Sequence, residues 1–409
     1  MATVVEPDVH ARQVPQGTAY GRPAQQPEAA LTQVGPGTPM GELMRRYWQP
    51  VLAGRTVTSR PREVRILGED LIVFRDGEGR PGLLYPRCMH RGTSLFWGHV
   101  EPDGIRCCYH GWKFDVEGNC IEQPCEPNPY LCRPEHRQPW YPVREQYGLV
   151  WAYMGPPEKM PSMPRFDSME PLEDGEDYLA FDNSLGSHGD INGPEVVPYS
   201  WLHMNDNIMD PFHVQVLHST ISGPQFAAQF ALMPTVRFFP VEEGVCYSAV
   251  RKLDDGREVD RVSSWICPNI MSVPDIQLRP GKSNGIAWVV PVDDDNYVQL
   301  FARKGNKNEP SPFDTPILMG GMRWGTMTEE QHQRFPGDYE AQAGQGRISL
   351  HSEEHLATSD RGIVMQRRTL ERQIEIVAKG GDPMGVSFDA AKAVVNVRSG
   401  NFYKAQAAE

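Results

Sequence analysis

Two short strings that contain cysteine and histidine, CMH at 88–90 and CCYH at 107–110, constrain this 409-residue chain more than any other feature. Sixteen residues separate them. Together they offer two thiolates and two imidazoles, the ligand set that holds a two-iron, two-sulfur cluster with both histidines on one iron. The predicted cluster ligands are Cys88, His90, Cys107 and His110. We expect both strings to lie in loops between β-strands.

Two alternatives concern these strings. Four such ligands could also hold a structural zinc ion, although zinc sites seldom combine Cys-x-His with Cys-x-x-His. Within the second string, only the spacing to His110 selects Cys107 rather than its neighbour Cys108 as the ligand. Cys108 is then expected to be a buried small side chain.

The charge and composition exclude several classes of partner. A formal net charge of −13 argues against binding to nucleic acid or to an anionic membrane surface, because both require a basic footprint. The N-terminus has no basic head followed by an apolar run, and the longest apolar run, around 285–290, is short enough to be one strand. We therefore expect a cytoplasmic protein. In a reducing compartment the remaining cysteines are free thiols: Cys120, Cys125, Cys132, Cys246 and Cys267.

The pattern along the chain predicts three parts. Residues 1–30, rich in Pro, Gln, Ala and Gly, form a flexible N-terminal extension. Residues 31–160 form an all-β iron–sulfur domain, which begins with a helical pattern over 40–51 and a hairpin over 63–76. Prolines mark a boundary near residue 160, and residues 161–409 form a catalytic domain.

The catalytic domain combines strands with helices. Helical patterns cover 199–217 and 360–379, and between them lie strand patterns at 244–253, 260–273, 284–292 and 296–304. The predicted fold class of the whole chain is therefore α+β, with an antiparallel sheet packed by helices in the second domain.

A second group of candidate ligands lies in the first of these helical patterns. His213 and His218, with a carboxylate, would form the facial set that holds iron(II) for dioxygen chemistry. Residues five apart on an ideal helix point about 140° away from each other. Both imidazoles can therefore reach one metal only if the helix is distorted, and Pro211 makes a distortion plausible. Asp210, three residues before His213, lies on the same face, although Asp-Pro is also a common helix start.

The order of the two motifs resembles that of the oxygenase component of Rieske non-haem iron oxygenases. The resemblance extends from Leu31 onward, and the opening LTQVGPGTPMGELMRRYW is similar to the phthalate-dioxygenase-type branch, which includes aromatic O-demethylases. It implies a helix-grip catalytic domain and a third iron ligand far downstream. Asp338 in GDYEAQ is the predicted ligand and Glu340 is the fallback, although relatives carry different residues around this carboxylate.

The resemblance also implies cofactors and partners. A Rieske [2Fe-2S] cluster passes electrons to a mononuclear Fe(II), where dioxygen is the cosubstrate. Because the chain has no dinucleotide-binding fingerprint, an NAD(P)H-dependent reductase, with or without a ferredoxin, must supply the electrons. The family arrangement implies homotrimers, alone or stacked, in which Asp210 bridges His213 and His110 of different subunits.

The expected activity is monooxygenation or oxidative O-demethylation of a substituted aromatic carboxylate, and phthalate-like cis-dihydroxylation is the alternative. Two other classes remain open: a Rieske electron carrier with a ligand-binding domain, in which the iron ligands do not converge, and a binding protein with structural zinc. Arginines in the catalytic domain are candidates for holding a substrate carboxylate. They are Arg237, Arg251, Arg261, Arg279 and Arg303. Three further histidines are interpreted as structural, namely His188, His203 and His351.

Overall fold

The computed structural model describes residues 26–182, 194–306 and 320–404. Most of the expected N-terminal extension, residues 1–25, therefore lies outside the described residues, as does His188. The first described residues contact the catalytic domain. The backbone N–H groups of Gln26 and Glu28 donate to Ser352 Oγ and His351 Nδ1, both at 3.0 Å.

Three small antiparallel sheets make up the N-terminal part of the chain. Their strand orders are β1-β10-β9, β2-β3-β4 and β5-β6-β7-β8. The bounds are β1 Trp48–Ala53, β2 Arg62–Ile66, β3 Glu69–Arg75, β4 Pro81–Leu84, β5 His99–Glu101, β6 Gly104–Arg106, β7 Lys113–Phe114, β8 Cys120–Glu122, β9 Val143–Gln146 and β10 Leu149–Tyr153. The first cysteine and histidine string follows β4, and the second connects β6 to β7.

The helical pattern predicted over 40–51 is wrong in its second half. Helix α1 covers Ala29–Thr32 and helix α2 covers Pro39–Met44, capped by the Thr38 hydroxyl, but the chain from Trp48 is strand β1. All six residues of β1 are buried. Pro50 cannot donate a helical hydrogen bond, and pairing with β10 supplies partners that a helix would not.

A nine-stranded antiparallel sheet dominates the catalytic part. The main path runs in the order β12-β19-β18-β16-β15-β14-β13, and β21 joins it at β15 and pairs with β17. The bounds are β12 Glu176–Asp182, β13 Thr235–Val241, β14 Gly244–Lys252, β15 Glu258–Ile266, β16 Ile270–Ser272, β17 Gly281–Lys282, β18 Gly285–Asp293, β19 Asn296–Asn306 and β21 Gly400–Lys404. A short parallel pair, β11 (Arg165–Phe166) and β20 (Val394–Val395), completes the strands of the described residues. The strands expected from the sequence pattern are therefore present.

Helices pack on this sheet, as the α+β prediction requires. The long helix predicted over 360–379 is α7, Arg361–Ala378, and it packs on β13 and β14, where Gly362 lies against the ring of Phe238. The pattern over 199–217 is broken into α3, Trp201–Ile208, and α4, His213–Gln215. Two further helices are α5, Glu329–Arg334, and α6, Asp338–Ala343.

One hydrophobic core joins the two parts of the chain. It includes Leu43, Trp48 and Trp151 from the N-terminal part and Trp201 and Trp288 from the catalytic part. The Trp151 and Trp288 rings meet edge to face, with their centroids 4.9 Å apart. A separate core, with Phe74, Ile105 and Phe114 among its members, supports the two cysteine and histidine loops. Those loops therefore stand on a subdomain with its own packing.

Candidate metal centres

Backbone hydrogen bonds within the first loop close a tight turn. The Cys88 N–H donates to the Thr93 carbonyl, and the Gly92 N–H donates to the Cys88 carbonyl, both at 2.8 Å. Gly92 has a φ of 78°, a conformation that favours glycine over other residues. The turn leaves the Cys88 side chain buried and the His90 ring half-buried.

The second loop repeats the same pair of hydrogen bonds. The Cys107 N–H donates to the Trp112 carbonyl at 2.8 Å, and the Gly111 N–H donates to the Cys107 carbonyl at 3.1 Å. Cys107 is buried, whereas Cys108 is exposed. Cys108 is therefore not the buried small side chain expected from the sequence, and Cys107 is the cysteine whose backbone matches that of Cys88.

The four side chains meet between the two loops. The His90 and His110 ring centroids lie 4.6 Å apart, and the His90 ring stacks on Trp112 at 4.6 Å with an interplanar angle of 4°. Burial, together with the neighbouring Cys107 thiol, raises the pKa of Cys88 to about 12. A thiol held in this way becomes a thiolate when a metal binds it. Two adjacent buried thiols and two adjacent imidazoles fit the donor set of a two-iron cluster.

The spacing of these ligands does not fit a single zinc ion. Tetrahedral zinc would bring all four ligand atoms within about 4 Å of one another. Among the described residues, the only set of three or more such atoms within 4.8 Å of one another belongs to a different site. The structural-zinc interpretation is therefore not supported.

A buried glutamine that sequence reasoning missed supports the first loop. Gln138 Nε2 donates to the carbonyls of Tyr85 and Arg87 at 2.8 and 2.9 Å, and its Oε1 accepts from the Met89 N–H at 2.8 Å. Gln138 is fully buried. It lies 31 residues after the second cysteine, and no local pattern marks it.

The second site depends on a change of helix type. After the break around Pro211 and the short helix α4, residues Val216–Ile221 form a π-helix. Hydrogen bonds in a π-helix join residues five apart, as in the bond from the Ser222 N–H to the Leu217 carbonyl at 3.4 Å. The wider turn brings His213 and His218 to the same side, with ring centroids 5.2 Å apart. The distortion expected from the five-residue spacing is therefore present.

Asp338, the first residue of α6, completes a group of three. Its Oδ1 lies 3.2 Å from His218 Nε2 and 3.7 Å from His213 Nε2. The three ligand atoms lie within 4.8 Å of one another, so the three side chains could hold one metal ion. Two imidazoles and one carboxylate are the facial set of non-haem iron(II) oxygenases.

Hydrogen bonds orient both imidazoles. His213 Nδ1 donates to the Asp210 carbonyl at 2.5 Å, and His218 Nδ1 donates to Gln225 Oε1 at 2.6 Å. Because both acceptors are carbonyl-type oxygens, each ring carries its proton on Nδ1 and presents Nε2 to the site. Gln225 was not predicted, since nothing in its local sequence distinguishes it.

The carboxylate of Asp338 is ionised despite its burial. Burial opposes ionisation, but the neighbouring His218 and His213 and a donor from Asn207 more than compensate, so the pKa of Asp338 is held well below its usual range. Asn207 Nδ2 donates to Asp338 Oδ1 at 3.0 Å. Asn207 is a further contact that the sequence did not reveal.

Glu340, the fallback ligand, is engaged elsewhere. Its Oε2 accepts from the Gly337 N–H at 2.7 Å, and its Oε1 accepts from Trp324 Nε1 at 2.7 Å. It caps the start of α6. The structure therefore brings Asp338, and not Glu340, to the two histidines.

An apolar cavity of about 290 Å³ opens onto the three side chains. Its lining includes the aromatic residues Phe226, Phe230, Tyr247 and Phe301. Of the five candidate arginines, Arg261 and Arg303 line this cavity. The other three do not: Arg237 is exposed over Phe239, Arg279 pairs with Asp275, and Arg251 lies behind Phe230.

Comparisons with known proteins agree with this geometry. Residues 47–142 match the family model of the Rieske [2Fe-2S] domain. The chain is 54% identical over 387 residues to the phenoxybenzoate dioxygenase subunit alpha of Ectopseudomonas oleovorans, covering 95% of this chain and 94% of that protein. The chain belongs to the oxygenase components of the Rieske non-haem iron oxygenases.

Two further comparisons place this Rieske oxygenase component among its relatives. It is 34% identical to the 5,5'-dehydrodivanillate O-demethylase oxygenase subunit of a Sphingobium strain, covering 88% of this chain and 82% of that one. The crystal structure of dicamba monooxygenase bound to dicamba shares the fold, with a TM-score of 0.57 at 17% identity over 82% of this chain and 98% of that chain. The predicted family, fold class and cofactors are confirmed. A Rieske oxygenase component uses a [2Fe-2S] cluster, a mononuclear iron and dioxygen.

Two further histidines of this Rieske oxygenase component, His203 and His351, have other partners. His203 Nδ1 donates to the Ser200 carbonyl at 3.1 Å, and its Nε2 lies 3.0 Å from Ser349 Oγ. His351 accepts from the backbone of Glu28. These contacts are those of structural residues. No helix in the described part of the chain is both long and apolar enough to cross a membrane.

Replacing Cys107 by serine should abolish the cluster, whereas Cys108→Ser should retain it, because only the Cys107 thiol is buried beside Cys88. Visible absorption and low-temperature electron paramagnetic resonance of the reduced protein report the cluster directly. Loss of both signals in Cys108→Ser, with both kept in Cys107→Ser, would overturn the ligand assignment.

Asp338→Ala should weaken binding of the mononuclear iron by more than about 100-fold, since even groups that only orient metal ligands contribute 10- to 100-fold. The cluster spectrum should be unchanged, because its loops stand on a separate core. Glu340→Gln serves as the matched control and should keep the iron. Iron titration of the apo-protein by calorimetry measures both variants, and the reverse ranking would show that Glu340 is the ligand.

Proposed function

We propose that this chain is the terminal oxygenase of a multicomponent system that oxidises a small aromatic carboxylate bearing an ether group. The observation that carries the proposal is the apolar, aromatic-lined cavity that opens onto His213, His218 and Asp338. Ligand pockets of this kind accept a flat apolar ring and orient it through a few polar groups. An electron carrier without catalytic iron would have no need for these three side chains to converge.

We further propose that Cys88, His90, Cys107 and His110 hold the cluster and that His213, His218 and Asp338 hold the iron. The cluster supplies single electrons, and the mononuclear iron supplies the position at which dioxygen is activated. Other side chains of the chain orient these ligands. Asp210 and Gln225 keep both Nε2 atoms directed at one point, and Asn207 holds the carboxylate beside them.

The ether group is suggested by the named substrates of the relatives. Phenoxybenzoate is an aromatic carboxylate with an aryl ether, and dehydrodivanillate is a methoxylated aromatic acid. Demethylation of a methoxy group consumes one dioxygen, two electrons and two protons, and releases a phenol, formaldehyde and water. The relative at 54% identity is named a dioxygenase, which gives specific support to dihydroxylation as the second candidate.

The partners follow from the same proposal. An NAD(P)H-dependent reductase, with or without a ferredoxin, delivers the electrons. The free cysteines favour a reducing compartment, so we place the protein in the cytoplasm. The chain acts as a homotrimer or as stacked trimers. In this assembly Asp210 would bridge His213 of one subunit and His110 of its neighbour.

Turnover with isotopic dioxygen tests the proposed reaction. The protein, with NADH and a generic reductase, should consume dioxygen when given 3-phenoxybenzoate or a methoxybenzoate. With ¹⁸O₂, dihydroxylation places two labelled atoms in the product, whereas demethylation gives formaldehyde in equal amount to the phenol. If metal-replete protein shows no substrate-dependent oxygen uptake with any aromatic acid, the proposed function is wrong.

Asp210→Asn should keep both metals but lower the rate of cluster oxidation on the order of 10- to 100-fold, since the residue orients ligands rather than binding metal. Asparagine retains the Oδ1 acceptor that caps the Phe212 and His213 N–H groups, at 2.9 and 3.3 Å, so the local fold should persist. Stopped-flow absorbance of prereduced protein mixed with substrate and dioxygen gives the rate.

Asp254→Asn, an exposed carboxylate in a turn, is the matched control and should oxidise at the wild-type rate. Prompt oxidation of the cluster in Asp210→Asn would refute the bridging role. The same preparations, examined by analytical ultracentrifugation, should sediment as trimers or multiples of trimers of the 46.0 kDa chain.

A further inference from the structure

Two buried arginines lie at the sheet face that lines the cavity. Arg261 on β15 pairs across the ladder with Ala249, and Arg251 is two residues further along β14, on the same face. Such diagonal positions are about 7–8 Å apart. Both guanidinium groups contact the ring of Phe230, at 5.1 Å from Arg261 and 4.9 Å from Arg251. Arg261 lines the cavity, and Arg251 is not among its lining residues.

The Arg261 side chain is held rigidly. Its Nη1 donates to the carbonyls of Pro274 and Asp275 at 2.9 and 3.1 Å, and Asn401 Oδ1 lies at 3.4 Å. The residue is only 5% exposed. Nearly all of its rotational freedom is therefore lost before any ligand binds, which reduces the entropic cost of binding.

The charge of this pair is only partly offset by the described residues: Asp275 and Tyr247 favour the charged form of Arg261, but neither outweighs its burial. No described carboxylate forms an ion pair with Arg251 or Arg261. The nearby Asp275 carboxylate accepts instead from Arg279 at 2.7 Å and from the Gln277 N–H at 2.7 Å. Burial lowers the pKa of Arg251 to about 10, and its Nη1 has no hydrogen-bond partner. Buried cations without a partner are costly, so a ligand anion would stabilise this region.

We propose that Arg261 binds the carboxylate of the substrate, with the charge of Arg251 reinforcing it from behind Phe230. A guanidinium binds a carboxylate through two parallel hydrogen bonds, which fix the direction of the ring as well as its position. The ring then lies in the apolar cavity with its far side toward His213, His218 and Asp338. Arg261 would thereby decide which carbon of the substrate is oxidised. This assignment rests on the proposed function.

Binding can be measured without turnover. Calorimetry on the reduced, metal-loaded protein without dioxygen would compare 3-phenoxybenzoate, its methyl ester and diphenyl ether. The wild-type protein should bind the acid at least 10-fold more tightly than the ester. Arg261→Gln should lower the affinity for the acid by about 10- to 100-fold, as expected for the loss of charge-assisted hydrogen bonds. Its affinity for the ester should be unchanged.

Two variants separate recognition from structural damage. Arg237→Gln, at an exposed strand arginine, should bind the acid as the wild type does. Arg261→Lys keeps the charge but not the paired donors, so its affinity for the acid should be intermediate. The cluster spectrum would reveal whether Arg261→Gln fails to fold. In that case the Arg261→Lys variant still tests the assignment.

Three outcomes would overturn the assignment: equal affinity of the wild-type protein for acid and ester, unchanged affinity of Arg261→Gln for the acid, or an equal loss for acid and ester in Arg261→Lys. Failure of the proposed function has a different signature. In that case no aromatic substrate is oxidised, whatever the binding measurements show.

Discussion

The hydrogen bond from Asn207 to Asp338 joins the two segments on which the iron site depends. Asp338 lies 125 residues after His213, and no local turn could bring them together. The site therefore requires α6 to dock against α3, the helix that carries Asn207 and leads into the histidines. A carboxylate buried there is stable only because imidazoles and an amide donor surround it.

Helix α3 is in turn held by a buried charge network. Arg367 on α7 pairs with both Asp206 and Glu354, and Gln366 donates to the Asn205 carbonyl at 3.0 Å. Burial raises the pKa of Asp206 to about 6 even though Arg367 opposes the shift. Removal of the arginine would leave two half-buried acids without this partner, which is destabilising. Because α7 packs on the large sheet and binds α3, it fixes the position of α3 between the sheet and the iron site.

The two metal centres are built on different principles. The cluster loops carry their own turns, with matching hydrogen bonds over five residues, and they stand on a small separate core. The iron site takes its members from a π-helical segment, from the start of α6 and from α3. Local geometry is thus sufficient for most of the first centre, whereas the second exists only when several distant elements pack correctly.

This difference explains what could be predicted. Spacing predicted the four candidate cluster ligands and suggested the histidine pair, because ligands that share one turn leave a fixed interval in the chain. The five-residue interval even predicted a distorted helix. Asp338 came from the family resemblance, since its distance from His213 has no geometric meaning in the sequence. Gln138, Asn207 and Gln225 escaped notice, because an amide that orients a ligand is indistinguishable from any other amide until its partner is known.

The sequence by itself indicated the α+β class and the central strands of the large sheet, because these depend on periodicity within short segments. The spacing of the two motifs, together with a family resemblance, indicated the family and the cofactors. Only the tertiary structure decided that residues 48–53 form a strand, that Glu340 caps a helix, and that Arg261 and Arg303 face the cavity while Arg237 does not. Strand alternation tells which residues share a face, but it does not tell which face is covered. That choice is made by helices and loops that pack from distant parts of the chain.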